Sequence, residues 1–79
     1  AAPFLAMSAR AGNPTGMNLY ARVLADGNGV STDEVEAVKW HLMARASGVS
    51  DLYLDGFMGT RDPDVLQAAE RRVRRFLGR

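Results

Sequence analysis

His41 is the one imidazole in the sequence, and an imidazole is the commonest general base and metal ligand. A metal site needs several ligands, and the sequence holds neither a second histidine nor any cysteine to share one. His41 also follows Trp40 and lies about one helical turn from Ala37 and Ala44, which predicts a packed, hydrogen-bonded side chain. Asp33, Glu34 and Glu36 are close enough for acid–base work, but a helix first turn attracts carboxylates for electrostatic reasons alone. Asp26, Gly27, Asn28, Gly29 and Asp33 loosely resemble a calcium loop, yet the oxygen-ligand spacing and the closing bidentate glutamate are absent. No catalytic residue, cofactor site or metal site is therefore expected. Met7, Met17, Met43 and Met58 are expected as adaptable core fillers.

The remaining chemistry is charge. Arg71, Arg72, Arg74, Arg75 and Arg79 gather near the end of the chain, opposed there by Glu70. Such a patch can hold an acidic partner, a phosphate or a lipid headgroup. It is also what the solvated, dipole-complementing end of a helix looks like, and that reading is the one adopted. No aromatic interleaves with these arginines on the exposed face, so base stacking has no support and no nucleic acid is expected. The formal net charge of +1 gives no global pull toward anionic polymers. Composition, 47% hydrophobic and 24% charged, is that of a globular chain without any apolar run near the roughly 18 residues of a membrane span. Without cysteine, disulfides and thiol catalysis are excluded. Seventy-nine residues make one small domain. The chain opens Ala1-Ala2-Pro3, which predicts a processed N-terminus or an internal start, with a cleaved secretory signal as one form of it.

These residues need elements to position them. Ala1 to Ala11 favours helix, with Phe4, Leu5 and Met7 apolar and Gly12-Asn13-Pro14 as a stop. The spacing predicts a second helix from about Thr15 to Asp26, with Met17, Tyr20, Ala21 and Leu24 on one face, widened by Leu19 and Val23. Gly16 and Ala21 are small enough for close helix contact. Gly27 and Gly29 supply positive φ for a sharp reversal, Val30 plugs the loop, and Ser31, Thr32 or Asp33 caps a helix from Asp33 to Ser47 that Gly48 ends. Val49 to Met58 begins a further unit. Asp62 is a cap, with Pro63 in the first turn, for a last helix whose apolar stripe is Val65, Leu66, Ala69, Val73, Phe76 and Leu77. At an offset of 36, Ala1 matches Ala37, Phe4 Trp40, Met7 Met43 and Gly12 Gly48, a period close to that of helical-hairpin repeats.

The run Tyr20-Ala21-x-x-Leu24-x-x-Gly27-x-Gly29-Val30-x-x-Asp33-x-x-x-Ala37-x-x-Trp40-His41-x-x-Ala44-x-x-x-Gly48 resembles the Sel-one-like repeat, a relative of the tetratricopeptide repeat. Where the family has Leu-Gly, this chain has Tyr20-Ala21. Leu24 replaces its tyrosine, His41 its second aromatic and Arg45 its second alanine. The resemblance implies an all-α, right-handed solenoid of antiparallel helical hairpins with about five helices. Residues 1–12 are then the second helix of a partial repeat, 13–48 a complete repeat, and 49–79 a degenerate capping hairpin. It implies a non-catalytic scaffold, adaptor or accessory subunit for protein partners, in a bacterial periplasm or cytoplasm, with a membrane complex as one setting. Some members hydrolyse β-lactams but are cysteine-rich, unlike this chain. A basic RNA- or lipid-binding module is the remaining alternative. Partner contacts are expected at Phe4, Leu5 and Met7, whose helix lacks its hairpin mate, and at Arg71, Arg72, Arg74 and Arg75.

Overall fold

The computed structural model describes residues 2–27 and 32–78, which form five helices with no strand among them. Helix α1 spans Ala2–Arg10, α2 Pro14–Asp26, α3 Glu34–Ala46, α4 Leu52–Gly59 and α5 Pro63–Leu77. The fold is all-α. Of the loop residues, Gly27 has the expected positive φ of 73°. Gly29, expected to share in the reversal, and Val30, expected to plug the loop, lie outside the described residues, as does Arg79.

Local chemistry sets most helix starts. Asn13 accepts the Gly16 N–H at 3.0 Å ahead of Pro14, and Asp33 accepts the Glu36 N–H at 3.1 Å. Asp51 does the same for Leu54 at 3.0 Å. Asp62 does not act as the expected cap, since its side chain makes no capping bond. Pro63 has no N–H to satisfy, and the Asp62 backbone carbonyl already accepts from Val65 and Leu66 at 3.0 and 3.2 Å.

The helix ends repeat. After α1, the N–H groups of Ala11, Gly12 and Asn13 donate to the carbonyls of Met7, Ala9 and Ser8. After α3, those of Ser47, Gly48 and Val49 donate to Met43, Arg45 and Ala44, the same three bonds at an offset of 36. Gly12 at φ 91° and Gly48 at φ 97° occupy the left-handed position this ending needs.

Helix α2 runs against α3, because Leu24 bonds Asp33 at the loop while Tyr20 meets Trp40 further back, ring centroids 6.1 Å apart. Helix α5 runs along α3 in the same direction, with Glu36 on Arg72 and Trp40 on Phe76, each pair 36 residues apart. Helix α1 lies on α2, and the short α4 touches α2 and α3. Trp40, 2% exposed, sits in a continuous core with Ala9, Met17, Ala21, Leu24, Ala37, Met43, Ala44 and Leu54. The radius of gyration of 11.3 Å is close to the roughly 11.6 Å of a globular chain this long, so the stack is not elongated.

Two sequence expectations fail for one reason. Met7 is 63% exposed rather than core, and Leu77 is exposed rather than part of the buried stripe. Their counterparts at the 36-residue offset, Met43 and His41, are buried because α3 has neighbours on several sides. Among the described residues, α1 packs chiefly on α2 and α5 chiefly on α3.

Gly16 permits the α1–α2 approach. A Cβ there would stand 2.1 Å from Ser8 Oγ and 2.7 Å from Ser8 Cβ, whereas one at Gly56 in α4 would meet nothing within 4 Å. The same substitution should therefore act in opposite directions. Gly16→Ala is expected to destabilise by about 1–3 kcal/mol through overpacking, and Gly56→Ala to stabilise by about 0.5–1 kcal/mol through helix propensity. Urea unfolding of both variants checks this, with Ser8→Gly restoring the first.

Candidate functional site

Glu36 stands in the first turn of α3, where the helix dipole favours a carboxylate, but its side chain does more than complement the dipole. Oε1 accepts the Trp40 indole N–H at 3.1 Å and faces Lys39 Nζ at 3.2 Å, while Oε2 takes Arg72 of α5 at 2.6 Å. Burial pushes the Glu36 carboxyl up, and the bonds and charges of Arg72 and Lys39 outweigh it, holding the group below its ordinary value. Lys39 is only 12% exposed at its side chain, with its ammonium 4.0 Å from the Trp40 ring centre and 5.6 Å from that of Phe76. Glu36, Lys39, Arg72, Arg75 and Phe76 line a cleft of about 370 Å³ between α3 and α5.

Of the expected basic patch, Arg72 and Arg75 reach this cleft; Arg71 and Arg74 are exposed on α5 but do not line it. A second, more apolar cleft of about 330 Å³ is lined by Val38, Leu42, Met58 and Leu66 together with Arg45 and Glu70. Phe4 and Met7 stand exposed on α1, 78% and 63%, with Leu5 half-buried beside them. Ala37, Trp40 and Ala44 are core residues, Asp33 and Gly27 shape helix ends, and Gly48 closes α3.

His41 is buried, and its Nε2 lies 2.7 Å from Asp55 Oδ1. A carboxylate can only accept, so Nε2 carries the hydrogen there. The other nitrogen, Nδ1, has no hydrogen-bond partner among the described residues, so none of their hydroxyls is held against it for activation. No group of three or more potential metal ligands exists among the described residues.

Asp51 is the polar centre that sequence reasoning missed. Buried, it caps α4 and takes Arg22 at 2.6 and 3.1 Å and Asn18 at 2.7 Å, tying α2 to α4. Arg22 also lies 5.1 Å from the Tyr53 ring centre, and the Tyr53 hydroxyl donates to Asp26. Its place before the apolar run Leu52–Leu54 marked a possible cap, but nothing local marked the ion pair. Burial pushes the Asp51 carboxyl up; Arg22, Asn18 and the Leu54 N–H outweigh this and bring it down to about 2. A depressed carboxyl stabilises the fold above its unfolded value and loses that contribution as pH falls through the folded one. From ordinary 3.8 to about 2, this is on the order of 2 kcal/mol. Urea midpoints taken from about pH 5 down to pH 2 should fall, and Asp51→Asn should flatten much of that slope while lowering stability at pH 7.

No family model matches this chain, and neither does any curated protein or solved structure.

Proposed function

We propose that this chain is a non-catalytic protein-interaction module built from Sel-one-like helical hairpins stacked as a right-handed solenoid, acting as an adaptor or accessory component of a larger assembly. One observation carries the reading. Phe4 and Met7 are 78% and 63% exposed, while Trp40 and Met43, one period later on the same kind of helix, are 2% and 4% exposed. Apolar side chains of this size grouped on one helix face mark an interaction surface. The repeated ending of α1 and α3 supports treating the two helices as equivalent, so the covered face of α3 suggests what the uncovered face of α1 receives. That is a helix bearing an aromatic side chain, as Tyr20 covers Trp40. No helix among the described residues is long and apolar enough to cross a membrane. Against hydrolysis stands the burial of His41, with one ring nitrogen on Asp55 and no partner for the other among the described residues.

A photo-crosslinking benzoylphenylalanine at position 4, introduced in the cell of origin, tests the surface directly. Crosslinks to one protein are expected, lost with Met7→Asp while helical content stays unchanged, since exposed substitutions cost only about 0.5 kcal/mol. Crosslinks confined to lipid or nucleic acid would contradict the reading. So would reproducible hydrolysis abolished by His41→Ala.

A further inference from the structure

The cleft between α3 and α5 gathers more positive charge than the one carboxylate lining it offsets, although Glu36 already takes Lys39 and Arg72. Three cations, Lys39, Arg72 and Arg75, line it with one carboxylate, Glu36, so it concentrates positive charge in a chain whose net charge is only +1. Lys39 differs from a surface lysine in that its side chain is largely buried and its ammonium lies against Trp40 and Phe76. Arg72 stays half exposed while directing one nitrogen at Glu36, and a guanidinium carries five N–H donors in a planar fork. At about 370 Å³ the cleft falls at the small end of ligand pockets, roughly 300–1,000 Å³.

We infer that this cleft is a carboxylate-binding site that takes an acidic segment of a protein partner, one glutamate or aspartate seated between Arg72 and Arg75 with its aliphatic stem against Phe76. The site already displays how it holds a carboxylate, because Glu36 receives Arg72 and Lys39 there at 2.6 and 3.2 Å. Nucleic acid fits less well. Base stacking needs an open aromatic face. Trp40 is buried with Lys39 over it, and Phe76, the aromatic lining the cleft, is half-buried edge-on against Trp40 with Lys39 5.6 Å from its ring centre. A lipid surface would meet a recess between two helices rather than a flat apolar face. The cleft is on different helices from Phe4 and Met7 except through the core, and it would keep this role even if α1 bound nothing.

Hexaglutamate titrated into the full 79-residue chain, uniformly labelled with nitrogen-15, is the test. Trp40 is the sole tryptophan, so its indole N–H gives one cross-peak, and that proton is bonded to Glu36 inside the site. Saturable movement of this peak is expected. Arg75→Glu should weaken binding about tenfold or more, worth roughly 1.4 kcal/mol. Arg74→Glu makes the same charge change on the same helix outside the cleft and should weaken it less than about threefold at moderate salt. Phe4→Ser should leave hexaglutamate binding unchanged, which separates this site from the α1 surface. If Arg75→Glu fails to fold, Arg75→Gln and the indole titration of the unaltered chain decide. A stationary indole peak, equal losses from Arg74→Glu and Arg75→Glu, or displacement of hexaglutamate by lower concentrations of hexauridylate or phosphatidylglycerol vesicles would overturn the assignment.

Discussion

The indole of Trp40 imposes the demand that the rest of the molecule answers. It is the largest buried side chain, and it carries a polar N–H that cannot be buried without an acceptor. Glu36, one turn earlier on α3, supplies the acceptor. That choice brings a carboxylate into a partly buried setting, where it in turn needs cations. Lys39 and Arg72 provide them, and Arg72 comes from α5, so the tryptophan's hydrogen bond ends by fixing how α5 lies on α3. The cationic cleft is the outer side of this arrangement. Tyr20 meets the ring from α2, so three helices meet on one residue.

A second tie compensates for the least well packed element. Helix α4 has eight residues and buries Leu54 alone among them, too little apolar surface to hold itself in place. Asp51 serves at once as its cap and as the anchor for Arg22 and Asn18 of α2, and Asp55 meets His41 of α3. Removing one partner of such a buried charge costs more than the pair is worth when intact. His41, the one imidazole of the sequence, is one end of this bracing.

The sequence made legible what is decided within a few residues. The cap at Asp33, one of three candidates, and the closing glycines Gly12 and Gly48 follow from local chemistry, as does the helical period. The small size of Gly16 announced a close helix contact without saying with what. Asn13 stood out as part of a stop and not as the cap it also is. Aromatics at 4, 40 and 76 also share the 36-residue spacing, a signal that joins Trp40 to Phe76 and that was read only as far as Trp40. What spacing could not convey was neighbourhood. Phe4 and Trp40 are equivalent by period and opposite in exposure, because period describes the helix and burial describes what lies beside it. Glu36 illustrates the same limit. Asp33-x-x-Glu36 has the form of a capping box, but the glutamate turns forward to Trp40 and Arg72 instead of back to the cap. The Arg22–Asp51 pair, 29 residues apart, left no mark in either local sequence.

The central claim is that Trp40 holds α2, α3 and α5 together. Urea unfolding of Trp40→Ala, followed by circular dichroism, tests it most directly. A buried aromatic deletion costs about 3–5 kcal/mol, comparable to the stability of a domain this small, so the variant is expected to be largely unfolded in buffer. A cooperative transition within about 1 kcal/mol of the parent chain would contradict the account.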